Sequence, residues 1–202
     1  VVNGDNSTCF TSCGDDIEYE GYDYSTVQIG EQCWFSENCR YLPMVSHSSE
    51  GSETEPNYYV YDYHGTDVAA AKSTANYETY GVLYNWPAVM TEGICPSGWH
   101  IPSDEEFTEL TDFLGGESVA GGKMKDNILW NGSNSSGFSG LPGAQLVGGF
   151  NIFSGMYSWG YWWSASESGS NSWERRLRNS NDSVNREGYP RSNGFSARCV
   201  RD

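Results

Sequence analysis

No apolar run in the 202 residues approaches the roughly 18 needed to cross a bilayer, so no membrane-spanning helix is expected within them. Basic residues are scarce, with Lys and Arg numbering 11 against 27 acids. Residues 1–112 hold 20 acids and 2 bases, Arg40 and Lys72 (net −18), and residues 113–202 hold 7 acids and 9 bases (net +2). Such a chain lacks the basic patch that nucleic-acid binding needs. Paired C-x-x-C spacing is missing, which removes the common zinc modules. Histidine occurs three times, at His47, His64 and His100, in unrelated contexts. There is no H-E-x-x-H, no G-x-S-x-G, no phosphate loop and no dinucleotide fingerprint. Carboxylate pairs such as Asp15-Asp16 and Asp104-Glu105-Glu106 read as loop and helix-capping acids rather than a glycosidase dyad. No catalytic residue, metal set or cofactor site is therefore expected, and the chain reads as a non-enzyme. Structural calcium remains compatible with the many loop acids, although no ligand spacing singles out a site.

The sequence does hold six cysteines, Cys9, Cys13, Cys33, Cys39, Cys95 and Cys199. Four Asn-x-Ser/Thr triplets, at Asn6, Asn131, Asn134 and Asn181, offer acceptors for N-linked sugar. Together they point to an oxidising compartment, hence to an extracellular or cell-surface protein. The opening Val1-Val2 reads as a processed terminus. Six cysteines allow fifteen pairings. Proximity favours Cys9–Cys13 and Cys33–Cys39 as local clasps, leaving Cys95–Cys199 as a long-range bridge. Closing so long a loop would stabilise by roughly 4 kcal/mol in the chain-entropy view.

With 15% aromatic and 37% hydrophobic residues, the chain can bury one substantial core. Its densest local signals lie in residues 95–116. Pro102 bars a helix from running through, Ser103 can cap the one that follows, and Glu106 completes a capping box. Phe107, Leu110 and Leu114 fall on one face, and Gly115-Gly116 offers the left-handed stop, so a main helix is expected at about 104–114.

Residues 1–16 read as an N-terminal arm closed by a small disulfide loop, and 17–202 as one domain. Residues 17–20 and 24–29 alternate like a hairpin, and Gln32 to Phe35 like a third strand with Trp34 and Phe35 in the core. Residues 43–79 read as a surface excursion with one tyrosine-rich strand and a short helix between Asp67 and Ala75. Tyr80 to Trp86 leads into a short helix at about 86–91, with Pro87 in its first turn. From Gly121 onward helical periodicity almost disappears. Trp130, Phe138, Phe150, Phe153, Tyr157, Trp159, Tyr161, Trp162 and Trp163 are spaced to anchor those long loops. In the polar segment 164–191, Trp173, Arg175, Leu177 and Asn179 would share one face of a strand, and Glu174, Arg176 and Arg178 the other. Its bland reading is an edge ladder of solvated polar side chains.

Eight stretches in order carry a family resemblance. They are Val27 to Trp34, Glu37-Asn38, Tyr80 to Trp86, Cys95 to Pro102, Lys123-Met124-Lys125, Gly137 to Gly143, Trp163 to Ser166, and the run from Gly194 through Cys199 to Asp202. The chain resembles the Fibrobacter succinogenes major paralogous domain family over roughly 17–202. The resemblance implies an α+β, C-type-lectin-like fold of short antiparallel strands, one main helix, long loops and disulfides, on secreted or surface-attached bacterial proteins. It implies no chemistry. The distantly similar formylglycine-generating enzymes use reactive cysteines, whereas all six cysteines here can pair. Glu55-Pro56-Asn57 spells the sugar-binding tripeptide of C-type lectins, but it precedes the main helix and lacks a following Trp-Asn-Asp, so it reads as coincidence. Segment 164–191 also resembles the diversified segment of retroelement variable proteins. That implies a contact surface built from Trp173, Arg175, Arg178, Asn179, Asn181, Asn185, Glu187, Tyr189 and Arg191.

Two non-catalytic roles follow. The favoured one is a self-associating subunit of an extracellular fibre, copies joined head to tail through acidic and basic sides. The alternative is a monomeric adhesin or lectin-like module that binds a glycan or cell-surface protein through 164–191.

Overall fold

The computed structural model describes residues 12–201. Two hairpins open it, β1 (Ile17–Tyr19) with β2 (Tyr22–Tyr24) and β3 (Thr26–Ile29) with β4 (Gln32–Phe35). There follow β5 (Tyr58–Tyr59), α1 (Val68–Lys72), α2 (Ala75–Tyr80), β6 (Leu83–Tyr84), α3 (Trp86–Val89), β7 (Trp99–His100), α4 (Asp104–Phe113) and α5 (Ala120–Met124). The rest is strand and loop: β8 (Gln145–Val147), β9 (Ile152–Ser154), β10 (Trp159–Ser168), β11 (Asn171–Arg178), β12 (Val184–Tyr189) and β13 (Val200–Arg201). The architecture is the expected α+β, with several small antiparallel sheets. The largest are β10-β11-β12 and β3-β4-β13-β7. No helix among the described residues is long and apolar enough to cross a membrane.

The main helix forms where its caps demand. Ser103 Oγ accepts from Glu106 N at 3.1 Å, and the Glu106 carboxylate accepts from Ser103 N at 2.7 Å. Phe107 and Leu110 are buried and the chain reverses through left-handed Gly115 and Gly116. Residues 43–79 are not the expected surface excursion, since Val45, Tyr58, Tyr59, Val60 and Ala71 are buried, and they hold two short helices rather than one because Asp67 and Thr74 each cap a separate turn. Helix α5 was not expected. Five residues are too few for a periodic signal, and Gly121 is fixed by packing, since a Cβ there would lie 2.7 Å from the Asp182 and Ser183 carbonyls.

Strand β10 divides the interior. Trp162 enters a core with Trp34, Phe107, Leu110, Phe138, Leu177 and Val200, while Trp163 and Tyr161 enter a second with Tyr24, Phe35, Tyr84 and Phe195. Trp130, Phe138 and these β10 rings anchor the loops as expected, but Phe150 and Tyr157 do not, both being 70% exposed.

Two of the expected disulfides are corrected. Cys13 bonds Cys33, so neither Cys9–Cys13 nor Cys33–Cys39 is present, and Cys39 is a buried thiol. The cause is tertiary: Thr26 Oγ1 accepts from Gly14 N and donates to the Asp15 carbonyl, and the β3-β4 hairpin then carries Cys33 back to Cys13. Cys9 lies outside the described residues. Cys95–Cys199 forms as expected and ties the loop before α4 to β13.

Candidate functional site

The sheet β10-β11-β12 presents two faces, set by alternation along β11. On the face turned to α4, Asp104 collects two arginines. Arg175 donates to Asp104 Oδ1 at 2.6 Å and to its carbonyl at 2.9 Å, and Arg186 donates to Oδ1 and Oδ2 at 2.9 and 2.6 Å. Arg186 also lies 3.6 Å above the Trp173 ring. Burial alone would raise the Asp104 carboxyl, but the hydrogen bonds from Arg186 and Arg175 outweigh it and hold it below its usual range.

The opposite face groups Trp159, Tyr161 and Trp163 of β10, Ser172, Glu174, Arg176 and Arg178 of β11, and Asn185, Glu187 and Tyr189 of β12, which the register places side by side. Arg176 donates to the Glu187 carboxylate and, at 3.1 Å, to the Tyr189 hydroxyl. Arg178 stacks on Trp159 at 4.3 Å. Glu174 is 0% exposed, and neither of its oxygens has a hydrogen-bond partner. Desolvation pushes its carboxyl well above the usual range, Arg176 opposing and Glu187 adding to the rise. Ser172 Oγ, Arg176 Nε, Arg178 Nε and Asn185 Oδ1 are likewise buried without partners, making six such atoms on one face. Buried polar atoms are ordinarily satisfied, and each that is not costs about 1–3 kcal/mol.

The residues expected to form a contact surface are therefore split. Arg175 is 2% exposed and bound to Asp104, and Trp173 lies half-buried beneath Arg186. Arg178, Asn185, Glu187 and Tyr189 share the other face, its rim partly exposed. Asn179 and Asn181 lie on the exposed turn before β12, and Arg191 stacks on Trp86 at 4.3 Å beside Glu167. Nine members were not expected in the contact surface: Trp86, Asp104, Trp159, Tyr161, Trp163, Ser172, Glu174, Arg176 and Arg186. The alternation of 173–178 was readable, but the partners from β10 were not. The two-residue turn after Ser168 sets one register and an irregularity between Trp163 and Glu167 replaces it with another.

Among the sugar-acceptor asparagines, Asn131 and Asn181 are exposed, but Asn131 donates to the Asn179 carbonyl and accepts from Lys125, and Asn134 exchanges both amide groups with Ser139; Asn6 lies outside the described residues. Asn57 of the Glu-Pro-Asn tripeptide is buried against Ser46 and Asn85, a structural use. A serine, a histidine and an acid do meet, Ser48 Oγ lying 2.6 Å from His64 Nδ1 and Asp62 3.7 Å from His64 Nε2. Ser48 is 0% exposed and directs its proton to Asn151 Oδ1, so the arrangement presents no nucleophile. His100 Nε2 lies 2.8 Å from Glu106 Oε1 at the helix cap. Among the described residues no three carboxylate or histidine ligand atoms converge; the one convergent group is the sulfurs of Cys39, Cys95 and Cys199. Of these, Cys95 lines an open cleft of about 500 Å³ formed by Val89 to Ile101 and Ala165.

No curated protein and no solved structure matches the chain significantly. A family model described as the Fibrobacter succinogenes major domain does match, over residues 27–201. The match takes in Trp34, Cys39, Asp104 and the whole of β10-β11-β12, so the residues that build both faces of the site are those of the domain itself, and the chain belongs to the Fibrobacter succinogenes major domain family.

Proposed function

We propose that the chain is a non-catalytic, extracellular recognition module that binds a polyhydroxylated ligand, a glycan, at the Glu174 face of β10-β11-β12. One observation carries this reading: six buried, unpartnered donors and acceptors lie together beneath a partly exposed rim of Trp159, Arg178, Glu187 and Tyr189. Hydroxyl groups can donate and accept, and flat rings suit the apolar faces of sugars. The two disulfides support an oxidising location. A glycan array probed with the wild-type chain and with Trp159→Ala tests the idea. At least one glycan should bind, and the variant should lose tenfold or more in affinity, about 1.4 kcal/mol. Silence across the array, or equal binding by the variant, would sink it.

Self-association into a fibre is the second reading, favoured by Phe150 and Ile152 standing 70% and 52% exposed around the β8-β9 turn. Its electrostatic arm is weaker than the charge count suggests, because Lys125, Arg175, Arg176 and Arg198 are all buried. Light scattering and negative-stain imaging at low and high salt separate the readings. Filaments would establish assembly, and a monomer at every salt concentration would remove it.

A further inference from the structure

Cys39 is 1% exposed, yet its sulfur lies 3.5 Å from Cys199 Sγ, in van der Waals contact with one half of the Cys95–Cys199 disulfide. All three sulfurs lie within 4.8 Å of one another. The backbone holds the two inner cysteines side by side, Cys39 N donating to the Ala197 carbonyl at 2.9 Å and Phe35 N to the Cys199 carbonyl at 3.0 Å. Cys95 differs from both. It is half-buried, belongs to the loop between α3 and β7, and lines the 500 Å³ cleft.

We propose that these three cysteines form a latent thiol site, in which Cys39 can take Cys199 from Cys95 and so present the Cys95 thiol to the cleft for covalent modification. The step is a thiol–disulfide exchange. The Cys39 thiolate attacks Cys199 Sγ, a Cys39–Cys199 bond forms as Cys95–Cys199 breaks, and the electron pair leaves on Cys95 Sγ, which takes up the proton that Cys39 released. No oxidant or reductant is consumed. Cys199 is the sulfur in contact with Cys39, so Cys95 is the leaving group and emerges on the cleft side. Its thiolate can then attack a low-molecular-weight disulfide, forming a mixed disulfide and expelling the other half as a thiol.

Burial pushes the Cys39 thiol up to about 12, with the Arg198 guanidinium opposing, so the attacking thiolate is rare at neutral pH and the resting pairing persists. Exchange is then slow, a matter of hours, and needs no unfolding of the Cys13–Cys33 clasp at the other end of the β3-β4 hairpin.

The test incubates the native protein, free of reductant, with dithiodipyridine and separately with a maleimide, then maps the modified and disulfide-linked peptides. Cys95 should be labelled over hours, and the labelled fraction should contain a Cys39–Cys199 link. Cys39→Ser should reduce Cys95 labelling at least tenfold, while a circular-dichroism spectrum and thermal midpoint close to wild type report that the variant is folded. Cys95→Ser should move the bridge to Cys39–Cys199 and leave neither of those two thiols reactive after denaturation. Absence of native labelling at Cys95, undiminished labelling in Cys39→Ser, two free thiols in Cys95→Ser, or a Cys39 bridged to Cys9 would each overturn the proposal.

Discussion

The two faces of β10-β11-β12 are built from the same kinds of residue and differ in how far their charges are matched. On the α4 side, one carboxylate meets two guanidinium groups, and a Trp173 ring backs the outer one. On the other side Glu174 is sealed in without a partner while Arg176 turns to Glu187 and Tyr189. Alternation along one strand thus separates a matched electrostatic cluster, which fastens the sheet to the main helix, from a buried set of polar atoms that the described residues leave without hydrogen-bond partners. Polar residues alternating along a strand are therefore not equivalent: those facing Asp104 are matched, and those around Glu174 are not.

The largest effect that would break this comparison comes from Asp104. Asp104→Ala leaves Arg175 buried without its carboxylate and should destabilise by about 3–5 kcal/mol in denaturant titration; a loss under about 1 kcal/mol would mean the cluster is not the fastening. The second effect separates the faces by pH. The folded carboxyl of Asp104 is depressed, so its contribution is present above the unfolded value and is lost as pH falls through the folded one. Glu174 is raised, so its contribution is full below the unfolded carboxyl range, near 4.3, and declines by about 1.4 kcal/mol per pH unit as pH rises toward its folded value. Stability of Glu174→Gln measured from pH 4 to 8 should lack that decline, and a slope equal to wild type would show that Glu174 does not titrate within the fold. The smallest effect sharpens the comparison. Arg178→Ala, at the half-buried rim, should leave stability within about 0.5 kcal/mol while weakening any glycan detected on the array. A variant that unfolds would place Arg178 with the structural cluster instead.

Legibility in the sequence followed the range of the forces involved. Helix α4 was readable because Ser103, Glu106 and the two glycines act within a few residues. The buried Trp34 and Phe35 were readable from strand alternation, whereas the Cys95–Cys199 bridge, 104 residues long, followed only as the remainder after two local pairings that do not form. The partner of Cys13 was not, because it depends on Thr26 docking the preceding segment, and proximity along the chain favoured the wrong bridge. At the site, the alternation of Glu174, Arg176 and Arg178 was visible, but not which side would be closed. That required Asp104, 71 residues from Arg175, to reach one face. Nor could Trp159 be paired with Arg178 while the irregularity in β10 was unknown.

Strand β13 sits between β4 and β7, with Val200 opposite both Trp34 and His100. In a chain delivered from its N-terminal end, the β3-β4 hairpin therefore waits with its β4 edge unpaired until residues 200–201 arrive, and Cys95 waits as long for Cys199. Such late closure links synthesis to quality control: a chain truncated a few residues early would keep most of its local structure yet display the β4 edge to any neighbouring strand.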